Sequence, residues 1–336
     1  MSYLYVCEQG STINYAQNRF SVSYKDGMIS SVPAETLEEV AVFGAVQITT
    51  QCVQECLKRG IIIVYYSQNG VYFGRLISTS HVNVRRQRQQ AALKKDKEFC
   101  LIFAKNIISA KINNQIVILR RYARSLGQNI DSDILAMKNS LRKIQDPWYS
   151  DISQVMGYEG LAARTYFKVL GGMVVPEISF KGRTRRPPLD PFNSVISLGY
   201  SILMNELYGK LSAKGLNPYF GFMHSDKENH PTLASDILEE WRAVFVDSLA
   251  MSLFNGRELS RDNFYTDTDR PGIFLDKKGL KIFIRKMENK FRTNQKYIIK
   301  NETGTSFRMA MTHQVNMLAN AIDNGNPYEY VPIRIR

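Results

Sequence analysis

The chain has 336 residues, 44% of them hydrophobic and 22% charged, which allows two domains with separate cores and excludes a disordered chain. Its formal net charge of +13, with an isoelectric point near 9.5, favours polyanionic partners: nucleic acid or an acidic membrane face. The longest apolar run, "IIIVYY" at 61–66, is too short for a bilayer span, and the opening "MSYLYVCEQG" has no basic or long apolar region of an export signal, so a cytoplasmic protein is expected.

Up to residue 84 the pattern is β-rich. "YLYVCE", "RFSVSY", "EEVAVF", "IIIVYYS" and "VYFGRLI" read as strands, and Asp26-Gly27 and Asn69-Gly70 are hairpin signals between such runs. One helix interrupts them, "TTQCVQECLKRG", with Thr49 or Thr50 as N-cap and Gly60 past its end. Its Cys52 and Cys56 lie four apart on one face, a spacing that can hold a metal. No second Cys or His pair accompanies them, so buried free thiols in a reducing compartment are expected.

From residue 85 the pattern is helical. "VRRQRQQAALKKDKEF" is a basic connector rich in helix formers, carrying Arg85, Arg86 and Arg88. "CLIFAKNIISAKINNQIVILRRYARSLG" has apolar residues at three- and four-residue spacing and ends at a glycine. Further helices are predicted at 131–145, 150–171, 191–214, 232–253, 277–293 and 305–322. The prolines of "SFKGRTRRPPLDP" break the pattern and leave Arg183, Arg185 and Arg186 on an extended loop. Each arginine cluster reads either as phosphate-neutralising or as an ordinary solvated surface. The expected fold is α+β: a small N-terminal sheet domain with one helix (1–84), then a larger all-helical domain (85–336).

"GFMHSDKENHPTLASDILEEWR", residues 221–242, places His224 and His230 in a polar loop that leads into an acid-bearing helix. Thr232 can cap that helix. Ile237, Leu238, Trp241, Val244, Phe245 and Leu249 define its buried face, and Asp236 and Glu239 share the other side with Glu240 flanking them. Two readings stand: a solvated acidic face, or two arms of a metal site in which His224, behind the aromatic approach "YFGFM", meets the carboxylates. A third arm is available in "VMGYEGLAARTYF" (155–167). Glu159 there is either a helix-start acid favoured by the dipole or a buried acid that needs a cation.

The run around Glu159 resembles the "GxEGxAAxxYF" stretch of the CRISPR adaptation integrases, the Cas family that inserts spacers into CRISPR arrays. "GRTRRPPLDPFNSVISLGYSIL" (182–203) is similar to that family's "GRxRRPPxDPxNxxLSxGYxxL". His224, Pro231, Leu233-Ala234, Asp236, Glu239-Glu240 and Arg242 follow its "H…PxLAxDLxEExR" pattern, with His230 where arginine is commoner. The resemblance implies that Glu159, His224 and Glu239 bind Mn2+ or Mg2+ with Asp236 beside them. It implies metal-dependent strand transfer from a DNA 3′-hydroxyl by a prokaryotic homodimer, paired through its sheet domain and flanking a small ferredoxin-like Cas partner. Double-stranded DNA, as prespacer and CRISPR repeat, is the implied substrate, and no membrane is involved. No triphosphate is required, and Gly209-Lys210 lacks the preceding glycine of a P-loop. Two other functions fit the residues: a metal-dependent nuclease or phosphodiesterase acting on RNA or branched DNA, and a non-catalytic DNA-binding scaffold.

Overall fold

A computed structural model describes residues 2–148, 151–184, 187–266, 271–296 and 304–335. The N-terminal part holds two four-stranded sheets. One is ordered β1-β5-β7-β8, from β1 (Ser2–Val6), β5 (Leu37–Phe43), β7 (Ile62–Tyr66) and β8 (Tyr72–Leu76). The other is ordered β4-β3-β2-β6, from β2 (Thr12–Ala16), β3 (Arg19–Ser23), β4 (Ile29–Pro33) and β6 (Gln47–Ile48). β1, β5 and β7 run parallel and β8 returns antiparallel through the Asn69-Gly70 turn. β2, which lies outside the expected strands, pairs with β3 and β6.

Side chains alternate across a strand, which explains the unbroken apolar runs in β5 and β7. Val40, Val42 and Ile63 face a small core shared with Ile13, Phe20, Val22 and the buried, free Cys52 and Cys56 of α1 (Thr50–Arg59). Ala41, Phe43, Val64 and Tyr66 face the other way and join the helical core. The sheet is thus buried on both faces. Thr49, not Thr50, caps α1 by accepting the Cys52 N–H, and Gly60 closes it with φ 71°, a left-handed value that glycine adopts at little cost.

The helical domain begins at α2 (Val84–Leu93). The connector is not one helix with its successor: Asp96 accepts the Phe99 N–H and starts α3 (Lys97–Leu126) afresh. α3 packs against α4 (Asp131–Gln145), α5 (Ile152–Gly171) and α7 (Thr232–Trp241), and so lies at the centre of the helical domain. α6 (Pro191–Ala213) packs on α7 from another side. The predicted helix 232–253 is interrupted: α7 passes into a π-helical segment, Arg242–Asp247, before α8 (Ser248–Asn255). Lys290 of α9 (Lys277–Arg292) donates to the Val244 and Phe245 carbonyls at 3.1 and 2.7 Å, satisfying acceptors where the helix is widened. α10 (Phe307–Asn324) completes the helices.

The helical domain also carries short strands that the all-helical expectation omits: the hairpin β9 (Phe264–Thr266) with β10 (Ile273–Leu275), and the pair β11 (Asn294–Gln295) with β12 (Thr305–Ser306). A buried polar group joins the two parts of the fold. Tyr3 of β1 donates to Glu206 at 2.9 Å, and Arg308 pairs with Glu206 and Glu288 while its guanidinium lies 3.6 Å from the Tyr3 ring centroid.

Candidate metal centre

α7 has no solvated face. Asp236 is wholly buried, and Glu239 and Glu240 are buried with it. The exposed acidic side that its wheel suggests is overturned because α3, α6 and the chain's last residues pack around what looked like the free side. Glu240 is the anchor for those residues. It accepts the Tyr330 hydroxyl and the Ile333 N–H, each at 2.6 Å, and burial pushes its carboxyl up to about 8 despite them.

Asp236 builds the loop before α7. Its Oδ2 accepts the Phe222 and Met223 N–H groups at 2.7 and 3.0 Å, and its Oδ1 accepts the His224 N–H at 3.1 Å. Gly221 permits the approach, since a Cβ there would stand 2.8 Å from Asp236 Oδ2. Thr232 does not cap α7. Its hydroxyl accepts the Gly221 N–H and donates to the Tyr219 carbonyl, fastening the same loop. Phe222 is held edge-on between Phe99 and Phe103 of α3.

His224 is thereby fixed. Its Nδ1 lies 2.6 Å from Asp236 Oδ1, a carboxylate oxygen that can only accept, so Nδ1 carries a proton and, in the neutral ring, Nε2 keeps its lone pair. Nε2 points towards Glu239, 4.0 Å from Oε1. Burial pulls the imidazole pKa down, the bond to Asp236 and the charges of Asp236 and Glu239 push it up, and the net shift is upward. His230 stands apart, with Nε2 2.9 Å from Ser235 Oγ.

Glu239 faces two cations. Arg242, the first residue of the π-helical segment, reaches Oε1 at 3.1 Å, and Lys111 of α3 reaches Oε2 at 2.5 Å. Burial alone would raise this carboxyl, but Arg242 and Lys111 outweigh it and hold the pKa at about 2. Lys111 also pairs with Glu159 of α5, so one ammonium bridges carboxylates from two helices. Glu159, Glu239 and His224 thus gather at one place, with His224, 30% exposed, as its open side. Among the described residues no three His, Cys, Asp or Glu side chains stand ready-made around an ion; the cation between the carboxylates is Lys111.

Lys111 and Arg242 carry no role in the reading by residue type. Lys111 had a signal: Ala104, Ile108, Lys111, Gln115 and Leu119 follow one apolar spacing, and a lysine on that stripe must be buried and paired. Beyond Arg242, its guanidinium lies 5.1 Å from the Tyr200 ring centroid, and the Tyr200 and Tyr166 hydroxyls both donate to buried Asp247. Arg183 lies 5.5 Å from the same Tyr200 ring and donates to Asn193 at 2.9 Å. It borders a cleft of about 960 Å³ that is also lined by Lys181, Arg261, Phe264 and Tyr265. Arg185 and Arg186 lie outside the described residues. Arg85 and Arg88 are exposed, whereas Arg86 is engaged internally, pairing with Asp323 at 2.5 Å.

Sheets packed on helices, with carboxylates, an imidazole and counter-cations buried together in the helical part, define an α+β protein with a mixed oxygen–nitrogen centre. Residues 4–289 match the family described as CRISPR associated protein Cas1. The chain is 35% identical over 335 residues to the CRISPR-associated endonuclease Cas1 of Mycobacterium tuberculosis (strain CDC 1551 / Oshkosh), covering 100% of this chain and 98% of that one. This protein therefore belongs to the Cas1 family of CRISPR-associated endonucleases.

Solved structures share the fold. A casposase bound to integration product superposes with a TM-score of 0.84 at 19% identity, over 97% of this chain and 92% of the other. A Cas6-RT-Cas1–Cas2 complex gives a TM-score of 0.83 at 24% identity; the match covers 100% of this chain and only 36% of that longer one. Among the described residues no helix is long and apolar enough to cross a membrane.

Proposed function

We propose that this protein is a divalent-metal-dependent DNA endonuclease and integrase that inserts spacer DNA into a CRISPR array by transesterification. The observation that carries this reading is the meeting of Glu159 and Glu239 on one buried ammonium, with Nε2 of the oriented His224 4.0 Å from Glu239. These side chains fit a divalent ion. Glu239 Oε2 is buried and lacks an aligned hydrogen bond although Lys111 is near, and two carboxylates with one imidazole suit Mn2+ or Mg2+. When bound, such an ion polarises a phosphodiester and stabilises charge on the attacking and leaving oxygens.

The chain's own residues do the rest. Asp236 holds the His224 tautomer, and Arg242 keeps Glu239 ionised. Arg183, Lys181 and Arg261 line the cleft next to Tyr200 and neutralise phosphates, while Phe264 and Tyr265 offer surfaces for unstacked bases. Exposed Arg85 and Arg88 extend the basic surface towards double-stranded prespacer and repeat DNA. The attacking group is a 3′-hydroxyl, so one phosphodiester forms as one breaks and no triphosphate is consumed; with water in its place the same centre cleaves DNA.

The assembly we propose is a homodimer paired through residues 1–84 and flanking a small ferredoxin-like Cas partner. It draws support from a neighbour in which Cas1 is complexed with Cas2 and from a casposase bound to its integration product. The test is transfer of a labelled duplex into a supercoiled plasmid by the protein with its partner, in Mn2+, with and without chelator. Chelator-sensitive joining is the expected result. DNA binding without joining or cleavage under any divalent metal would leave a scaffold.

A further inference from the structure

Lys111 stands where an ion-binding centre has least use for a fixed positive charge. Its side chain is 7% exposed, it sits mid-helix on the apolar stripe of α3, and its ammonium contacts both Glu159 and Glu239. A lysine is not buried there for packing, because an unpaired ammonium in that position is strongly destabilising. Its partners explain it. Glu159 on α5 and Glu239 on α7 approach each other across α3, and in a low-dielectric gap two carboxylates without a cation between them repel. Arg242 makes its ion pair with Glu239, from the Oε1 side, and acts on Glu159 only at longer range, and the nearest charge to His224 Nδ1 is Asp236. The charge that holds α5 to α7 at this point is therefore the ammonium of Lys111.

We propose that Lys111 is a placeholder cation: its ammonium keeps Glu159 and Glu239 assembled while no divalent ion is bound, and is displaced when one binds. The inference rests on the reading that Glu159, His224 and Glu239 are the ion's ligands. A divalent ion between the same carboxylates would share the gap with an ammonium of like sign, and both cannot stay at contact distance. The compact ammonium on its flexible four-carbon stem is the group able to withdraw, and the partly exposed His224 side is open to the incoming ion. Metal affinity is then set by competition. The centre binds its ion less tightly than its ligands alone would allow, and in exchange keeps its shape between turnovers.

Removing the charge while keeping an unbranched side chain of nearly the same length tests this. Mn2+ is titrated by calorimetry into the full-length wild type, Lys111→Met and Glu159→Gln, and thermal unfolding of each is recorded with and without the metal. Lys111→Met is expected to bind Mn2+ at least about tenfold more tightly. It should unfold at lower temperature without metal and gain more from Mn2+ than the wild type does. Equal or weaker Mn2+ binding by Lys111→Met, with the wild type binding through Glu159, overturns the placeholder and leaves the metal centre standing. A wild type that binds no Mn2+, or a Glu159→Gln variant that binds it equally well, removes the metal-centre reading and the placeholder with it.

If Lys111→Met does not fold, the wild type itself decides. Lysine acylation read by mass spectrometry should find Lys111 protected without metal and faster-reacting in saturating Mn2+, and an unchanged or slower rate overturns the proposal.

Discussion

Asp236→Asn keeps the size of a fully buried side chain and removes only its charge and one acceptor oxygen. In place of a carboxylate that accepts from Phe222, Met223, the His224 backbone and His224 Nδ1, the amide must turn its NH2 towards one pair of those donors. If it faces Phe222 and Met223, two buried N–H groups lose their acceptor, at about 1–3 kcal/mol each. If it faces His224, one backbone N–H loses its acceptor, at about 1–3 kcal/mol, and the imidazole can relieve its own clash only by moving its proton to Nε2. That tautomer aims an N–H at Glu239 and has no lone pair for an ion. The cheaper rearrangement for the fold is thus the damaging one for the site.

Taking about 4 kcal/mol for the first arrangement and an unfolding entropy of about 0.7 kcal/mol/K for a chain this long, the midpoint falls by roughly 6 °C. The second leaves the midpoint higher but weakens metal binding about 10- to 100-fold. Differential scanning calorimetry and Mn2+ titration of the same preparation distinguish the two. A variant whose midpoint stays within about 1 °C of the parent and whose Mn2+ affinity is unchanged would refute the role assigned to Asp236.

His224→Ala is expected to lower strand transfer and cleavage about a hundredfold or more while duplex affinity in gel shifts changes little, since affinity comes from phosphate neutralisation. Parallel loss of both in a folded variant would make the histidine structural. Arg183→Ala should reduce the slope of log affinity against log salt by up to about 0.9, the contribution of one phosphate contact, and an unchanged slope would assign Arg183 to holding Asn193 and Tyr200. Lys290 gives a pH signature: burial pushes its ammonium down to about 7, with Arg121 adding to this and Asp247 opposing it. An unfolded lysine titrates near about 10.4, so between these values the unfolded chain holds the extra proton and raising pH favours the folded state, by up to about 1.4 kcal/mol per unit. The midpoint of Lys290→Met relative to wild type should therefore decline from pH 7 to 10; a constant difference would show a lysine that titrates normally.

What was legible in the sequence is what local chemistry decides. Asp26-Gly27 and Asn69-Gly70 mark turns, Gly60 and Gly127 close helices in the left-handed region, and apolar spacing places α3 to α6, and the start of α7, within a few residues. The α+β class follows from those signals. What local periodicity misjudged is α7, because a helical wheel records which side is apolar and not what packs against the polar side. Asp236 and Glu239 look solvated until α3 supplies Lys111 from more than a hundred positions away and the final residues supply Tyr330 and Ile333 to Glu240. The π-helical segment has its cause elsewhere too, since Lys290 lies over forty residues beyond the carbonyls it satisfies.

The spaced motifs located Glu159, His224 and Glu239 because a motif carries residue identity across such distances. They include Arg242 but say nothing of Lys111, the charge between Glu159 and Glu239. An acid in water and an acid gripped by a buried ammonium have the same letter, and the difference between them is Lys111, the charged residue on a largely apolar stripe. A lysine at an apolar-periodic position of a helix is therefore a readable sign that a second acid must meet it, and in this chain it points to the same centre as the motifs do.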